Sequence, residues 1–277
     1  MHKLHVPLQV NSPVLHHFDL SELDLQERIG RGNFPVYKAI KGKEIIAVKE
    51  RECEKKQVPR EVEVHSILPP HPNVLPLLGI AHSSDGFSIY ICTPLADKSL
   101  YQYIHKEGMK LSLERSTKWA LQIAQGMHHI HQHGLAHRDL KSANVLLFEK
   151  DDILKVCDFG SARILEGTAA QTGMTGTYRW MAPEFNNKAA MRVNQRCDVF
   201  SYGMVLYEMF AHQLPFPDLD DRQVLHPIRD GVRPPIPPEL PYHIQKLMEM
   251  CWKHRPNHRP TFETILEVCS LLIHLNV

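Results

Sequence analysis

The hydrophobic pattern of this chain changes near residue 100, and that change limits the folds that the chain can adopt. In the first hundred residues, short runs of β-branched and aromatic residues are separated by glycine-rich or charged turns, a pattern typical of β-strands. One short helix is predicted over Pro59 to Leu68, because proline is tolerated in a first turn and the next two prolines stop the helix. The predicted strands lie within residues 23–32, 35–40, 43–50, 73–82 and 87–93.

The rest of the chain is predicted to be mainly helical. Trp119, Ile123, Met127 and Ile130 recur at the spacing of one helix face. Gly134 stands where that helix should end. We therefore expect a long amphipathic helix that buries this face.

Two further helices are predicted nearer to the end of the chain. The run Val199 to Phe210 is apolar nearly all round, which indicates a buried helix that is too short to span a bilayer. Phe262 to Leu275 has the pattern of an amphipathic helix. We predict an α+β fold with two lobes. The predicted parts are a leader of uncertain order (1–17), a small β-rich lobe (18–92), a connection (93–99) and a larger helical lobe (100–277).

Charge and cysteine usage exclude several classes of protein. Lys and Arg number 32 against 31 Asp and Glu, a formal net charge of +1. This balance argues against nucleic acid or an anionic membrane as the main partner. The six cysteines form no CxxC pair and no signal-like apolar segment follows the first methionine. We therefore expect reduced thiols in a cytoplasmic chain.

Two features of the predicted β-rich lobe become informative only in combination. Gly30-Arg31-Gly32-Asn33-Phe34 is a glycine-rich turn, which suits close approach of the backbone to phosphate oxygens but also suits a plain hairpin. Lys49 ends an apolar strand, where a solvated edge charge is the ordinary interpretation. Glu61 and Glu63, in the first turn of the predicted helix, could hold that lysine or simply favour the helix N-terminus.

Three motifs downstream carry the strongest signal. They are the run His137 to Asn144 (HRDLKSAN), the triplet Asp158-Phe159-Gly160 and the triplet Ala182-Pro183-Glu184. In this order, after the glycine-rich turn and Ala47-Val48-Lys49, they resemble the signature set of protein kinases.

The resemblance covers roughly residues 18–275 and is closest to the tyrosine-kinase-like group. It extends through Gly176 to Glu184, through Cys197 to Gly203, and through Cys251-Trp252 with Arg259-Pro260. Within that group the chain is similar to the mixed-lineage and MAP-kinase-kinase-kinase enzymes. The resemblance implies the two-lobed kinase fold, with an antiparallel sheet and one helix in the small lobe.

The resemblance also implies ATP and Mg²⁺ as cofactors and gives roles to the motif residues. Asp139 would accept the proton of the substrate hydroxyl, and Lys141 would place a cation beside the γ-phosphoryl oxygens. Asn144 and Asp158 carry the oxygen ligands that Mg²⁺ prefers.

Further residues of the β-rich lobe are implied in nucleotide binding. Lys49 would hold the α- and β-phosphates and be oriented by an acidic partner, for which Glu61 is preferred over Glu63. Cys92 would close the back of the adenine site, and the backbone of Thr93 and Leu95 would bond the adenine edge. The full implied nucleotide set is Ile29, Gly30, Gly32, Val36, Ala47, Lys49, Cys92, Thr93, Leu95 and Leu146.

The same resemblance implies residues that regulate the enzyme and residues that support its active site. Arg138 beside Asp139 implies control by phosphorylation, with Thr168, Thr172 and Thr175 as candidate sites. Thr177 would support the substrate site. The expected structural residues are Asp198, which braces the catalytic loop, and Glu184 paired with Arg259.

The glycine-rich turn departs from the family pattern. The family reads GxGxFGxV, whereas Gly30 to Val36 reads GRGNFPV, one residue shorter and with Pro35 in place of a glycine. Because proline has no N–H and a fixed φ, we expect weaker ATP binding or slower transfer. The leading hypothesis is a Ser/Thr protein kinase that acts on a protein substrate such as a downstream kinase. The alternative is a weakly active or inactive scaffold that binds nucleotide and partner proteins.

Overall fold

The computed structural model describes residues 15–30, 34–53, 58–164, 178–186 and 194–274. The chain forms two compact units, Met1–Pro70 with Pro76–Leu95 and His71–Leu75 with Ala96–Val277. The change from the first unit to the second at Leu95 falls inside the connection predicted over residues 93–99. The first unit is mainly β-structure and the second mainly helical, which confirms the α+β prediction.

The first unit is an antiparallel five-stranded sheet with one helix. The sheet has the order β1-β2-β3-β5-β4, and the helix α1 connects β3 to β4. Each predicted strand is present, and α1 lies within the predicted helix. The elements are β1 (Asp24–Gly30), β2 (Val36–Lys41), β3 (Glu44–Glu52), α1 (Arg60–Ile67), β4 (Gly79–His82) and β5 (Ser88–Pro94).

The sheet buries apolar side chains on both faces because successive residues of a strand point to opposite sides. On one face, Ile46 and Val48 of β3 share a buried cluster with Cys92 of β5. On the other face, Ile89 and Ile91 of β5 pack against Val62 of α1. The second cluster holds α1 on one defined face of the sheet.

The second unit contains four longer elements and several short ones. A π-helical turn spans Gln102–Lys106. The strands and helices are β6 (Lys98–Ser99), α2 (Leu113–Gln132), β7 (Leu135–Ala136), β8 (Val145–Phe148), β9 (Ile153–Val156), β10 (Arg163–Ile164), α3 (Arg196–Ala211), α4 (Leu225–Arg229), α5 (Tyr242–Cys251) and α6 (Phe262–His274).

The core of the second unit forms around α2 and α3. The four α2 residues predicted on one face are completely buried, and α3 is buried on nearly every side, which confirms both predictions. Ser112 caps the start of α2 by accepting a hydrogen bond from the N–H of Arg115. Gly134 follows the helix with a φ of 71°, a conformation in which glycine has no steric penalty. Within the described part of the chain, no helix is both long and apolar enough to cross a membrane.

Strand β4 is shorter than the sequence predicts. Residues 73–75 belong to the second unit, where the N–H of Leu75 donates to the Val156 carbonyl and the N–H of Val156 donates to the Asn73 carbonyl, both at 2.9 Å. The backbone groups expected to pair with β5 are therefore bonded to β9 instead. Pro76, which has no N–H, follows this pairing directly.

Gly126 of α2 lies directly against the backbone of this β9-bonded segment. A Cβ atom at this position would overlap the carbonyl oxygen of Asn73 and lie 3.2 Å from its carbonyl carbon. The close approach of α2 to residues 73–75 therefore requires glycine.

We predict that Gly126→Ala destabilises the protein. Replacing glycine by alanine inside a helix ordinarily stabilises it by roughly 0.5–1 kcal/mol, but here the added methyl group displaces Asn73. We expect a net loss of about 1–3 kcal/mol in the free energy of unfolding, measured by urea denaturation. Gln125→Ala, at the neighbouring half-buried position, is the control and should change stability by less than about 0.5 kcal/mol.

Candidate active site

The second unit brings together three of the predicted catalytic residues. Lys141 Nζ donates to Asp139 Oδ2 at 2.9 Å. Asn144 Nδ2 donates to the backbone oxygen of Asp139 at 2.8 Å and to its Oδ2 at 3.0 Å. Because the amide nitrogen of Asn144 is committed to Asp139, its Oδ1 is the atom suited to bind a cation. The carboxylate of Asp139 is thus fixed by an ammonium group and an amide.

Asp158 lies at the same end of the β8–β9 hairpin as Asn144. The N–H of Cys157 donates to the Asn144 carbonyl at 2.9 Å, and Asp158 follows Cys157. Asp158 has a φ of 66°, outside the extended range of β9, so the chain turns sharply here. A carboxylate and an amide oxygen are donors that a hard cation such as Mg²⁺ accepts, so the donor set fits that ion.

Asp198 of α3 holds the backbone that precedes Asp139. Its two carboxylate oxygens accept the N–H groups of His137 and Arg138 at 2.8 and 2.7 Å, and His131 Nε2 lies 2.8 Å from Oδ2. Asp198 is completely buried. Burial raises the pKa of Asp198, but the hydrogen bond and charge of His131 and the Arg138 N–H outweigh this and lower it. The carboxylate therefore remains ionised and fixes Arg138 at a positive φ of 68°.

A second buried pair connects distant parts of the same unit. Arg259 donates to both oxygens of Glu184, from Nη1 at 2.6 Å and from Nη2 at 2.8 Å. Arg259 Nη1 also donates to the backbone oxygen of Arg196, at the start of α3, at 2.9 Å. The bidentate geometry is the strong form of this interaction and links the segment before α3 to the segment before α6.

In the first unit, Lys49 is paired with Glu61. Lys49 Nζ donates to both oxygens of the Glu61 carboxylate at 2.9 Å. Glu63, the alternative partner, instead pairs with Arg60 at 3.1 Å near the surface. Of these two glutamates, Glu61 is therefore the one that the fold brings to Lys49.

The predicted nucleotide residues of β2, β3 and β5 divide between the two faces of the sheet. Val36 pairs with Lys49, and Ala47 pairs with Thr93, so these four side chains share one face. Cys92 pairs with Val48 and lies on the opposite face, inside the apolar cluster. Burial raises the pKa of its thiol to about 12.

The placement of Cys92 corrects the sequence analysis. A residue on the face opposite to Ala47 does not close the back of a site that Ala47 lines. Thr93, one residue later, has its side chain on the face of Ala47 and Lys49.

The remaining predicted nucleotide residues lie in separate parts of the fold. Gly30 pairs with Val36 at the end of β1, and Ile29 beside it is exposed. Leu95 directly follows β5, and Leu146 is on β8 in the second unit. Gly32, Thr168, Thr172, Thr175 and Thr177 lie outside the described residues.

A buried carboxylate that the sequence analysis did not single out lies next to the catalytic loop. Glu208 of α3 accepts hydrogen bonds from Trp180 Nε1 and from Ser142 Oγ, both at 2.6 Å. His105 Nε2 lies 2.9 Å from the same carboxylate. The only signal for it in the sequence was a glutamate inside an otherwise apolar helix.

Comparison with known proteins agrees with this geometry. A family model described as protein tyrosine and serine/threonine kinase matches residues 23–269. The chain belongs to this family. Its α+β architecture, with the five-stranded antiparallel sheet and one helix in one unit and the longer helices in the other, is that of a protein kinase domain, which confirms the resemblance stated from the motifs.

Individual relatives include kinases of several kinds. The domain is 34% identical over 264 residues to mitogen-activated protein kinase kinase kinase 7 of Drosophila melanogaster, covering 92% of this chain and 38% of that protein. It is 32% identical over 273 residues to serine/threonine-protein kinase STY46 of Arabidopsis thaliana, covering 96% and 47%. It is 34% identical over 258 residues to tyrosine-protein kinase SRK3 of Spongilla lacustris, covering 89% and 75%. The chain thus spans less than half of the first two relatives.

We predict that Asp198→Asn destabilises the kinase domain by about 2–4 kcal/mol. Only the oxygen of an amide accepts hydrogen bonds, so one of the two backbone N–H groups would lose its acceptor. The pKa of Asp198 is lower in the folded than in the unfolded chain, so its contribution is complete above about pH 4 and is lost as the pH falls further. Urea denaturation at pH 7 and at about pH 2 measures both effects. The exposed Asp230→Asn is the control, and equal stability of the two variants at pH 7 would contradict the prediction.

Proposed function

We propose that this domain is an ATP-dependent protein serine/threonine kinase. The observation that carries the proposal is the group formed by Asp139, Lys141 and Asn144, in a chain whose family is that of the protein kinases. This group places one carboxylate beside one ammonium and one amide, which suits proton acceptance next to a phosphoryl group.

Asp139 orients the acceptor hydroxyl and takes its proton as the oxygen attacks the γ-phosphorus, while the bond from that phosphorus to the bridging oxygen breaks and ADP leaves. Lys141, 2.9 Å from Asp139, neutralises charge on the transferring phosphoryl oxygens. Asn144 and Asp158 would hold Mg²⁺, which when bound neutralises phosphate charge. Asp198 keeps this loop in place through the N–H groups of His137 and Arg138.

Lys49 binds the α- and β-phosphates of ATP, with Glu61 as its orienting partner. The Glu61 side chain is only 5% exposed, so its charge is poorly screened and the pair is held in one geometry. Val36, Ala47 and Thr93 share the face of Lys49 and line the nucleotide. Further residues to which the family resemblance gives a nucleotide role are Ile29, Gly30, Gly32, Leu95 and Leu146. Thr93 takes the place first predicted for Cys92.

The acceptor is proposed to be a serine or threonine of a protein. Lys141 lies two residues after Asp139, an arrangement that resembles serine/threonine kinases rather than tyrosine kinases. STY46 of Arabidopsis thaliana is named a serine/threonine-protein kinase, and the Drosophila relative is named a mitogen-activated protein kinase kinase kinase. A downstream kinase is the proposed substrate class. Arg138 supports control by phosphorylation at Thr168, Thr172 or Thr175, with Thr177 supporting the substrate site.

We place the protein in the cytoplasm. Its six cysteines are free, and four of them are buried, as expected in a reducing compartment.

We predict that Asp139→Asn lowers phosphoryl transfer by about 10²–10⁴-fold, because the amide cannot take the proton. Transfer of radiolabelled phosphate from ATP to a generic basic protein, followed by phosphoamino-acid analysis, measures rate and acceptor together. Labelled phosphotyrosine alone would contradict the serine/threonine assignment.

Nucleotide binding separates this proposal from the scaffold alternative, which the shortened turn with Pro35 suggests. An active kinase loses transfer on Asp139→Asn but keeps Mg²⁺-dependent ATP binding. A chain that binds ATP but transfers no phosphate even in the native form would be the scaffold.

A further inference from the structure

Glu61 is shared by two cations of strand β3. Besides its two bonds from Lys49, the carboxylate accepts a hydrogen bond from Arg51 Nη1 to Oε2 at 3.0 Å. Lys49 and Arg51 are two residues apart on a strand, so both side chains lie on the face that α1 covers. One carboxylate of α1 is thus bonded to two positive groups of the sheet.

The guanidinium of Arg51 is covered by an aromatic ring from the glycine-rich turn. The Arg51 Cζ atom lies 4.0 Å from the centroid of the Phe34 ring, and Lys49 Nζ lies 5.9 Å from it. Arg51 Nε is buried and has no acceptor among the described residues. The guanidinium thus contacts the Glu61 carboxylate and the Phe34 ring, and the cation–π arrangement excludes water from one of its faces.

The backbone next to Phe34 is bonded to β3. The N–H of Glu50 donates to the carbonyl of Pro35 at 3.0 Å, so the pairing of β2 with β3 continues to the residue before β2. Pro35, which departs from the family pattern, is thereby held beside β3, and Phe34 directly precedes it.

Glu50 lies between Lys49 and Arg51 in sequence, but its carboxylate points to the other face of the sheet. It accepts hydrogen bonds from the hydroxyls of Tyr37 and Tyr90 at 3.3 and 3.2 Å. Glu50 therefore has contacts of its own, and Glu61 is the carboxylate that Lys49 and Arg51 share.

We propose that Arg51 is a positioning residue for Lys49, held by Phe34 and acting through Glu61. A lysine that turns to phosphate oxygens gives up part of its contact with the carboxylate that orients it. Arg51 keeps Glu61, and with it α1, at strand β3 during that exchange. This inference rests on the proposed nucleotide role of Lys49.

The test compares Arg51→Met, Arg51→Lys and Phe34→Leu with the native domain. Titration with a fluorescent ATP analogue and Mg²⁺ gives nucleotide affinity without any need for transfer. We expect Arg51→Met to weaken binding about three- to tenfold and to raise the KM for ATP equally, with the KM for a peptide substrate unchanged. Arg51→Lys should recover at least half of the loss, since it keeps the charge, and Phe34→Leu should weaken binding about two- to threefold.

A double-mutant cycle identifies the route through Glu61. In the Glu61→Gln background, Arg51→Met should change nucleotide affinity less than about twofold, since Arg51 then has no carboxylate to hold. Arg60→Met, which removes a cation from the exposed pair with Glu63 on the same helix, is the matched control and should leave affinity unchanged.

Three results would overturn the inference: unchanged affinity in Arg51→Met, additive effects in the cycle, or an equal change in the KM for peptide. Failure of the proposed function has a different signature. A native domain that binds the analogue tightly but transfers no phosphate contradicts the kinase activity, while the affinity changes still decide the role of Arg51.

Discussion

The buried carboxylate of Asp198 is the contact on which the geometry of the second unit depends. Its two oxygens hold the N–H groups of His137 and Arg138, immediately before Asp139. Each N–H thus has a carboxylate oxygen of its own, which a single backbone carbonyl does not offer. Burial of an ionised group is unfavourable in itself, and the hydrogen bonds together with His131 offset that cost. Asp139, Lys141 and Asn144 then follow in a loop whose start is fixed.

The same solution, one carboxylate with several donors, recurs at three further positions. Glu61 in the first unit and Glu184 and Glu208 in the second are each nearly or fully buried and each accept at least two hydrogen bonds. Each joins separate elements or segments, such as β3 with α1. Removing the donors of such a group would leave its charge buried and unpaired, so these carboxylates enforce one arrangement of the elements they join.

The sequence predicted the main elements and the proximity of Asp139, Lys141 and Asn144 for a physical reason. Residues within one short loop are close together without any knowledge of the tertiary fold. Cys92 was misplaced because side chains alternate between the faces of a strand, so an offset of one residue reverses the face. The roles of Arg51 and Glu208 depend on contacts between distant segments, and neither residue belongs to a recognisable motif.

Strand β4 is the last strand at one edge of the five-stranded sheet. The segment that precedes β1 covers this edge. The N–H of Phe18 donates to the Ile80 carbonyl at 2.8 Å, and the N–H of Ile80 donates to the His16 carbonyl at 2.9 Å. Gly79 permits this contact, since a Cβ there would lie 2.6 Å from the Phe18 ring. A protein trimmed to the start of the family match at residue 23 would present bare amide and carbonyl groups along β4. Such an open edge recruits strands from other molecules, so the residues ahead of the kinase domain protect it from edge-to-edge aggregation.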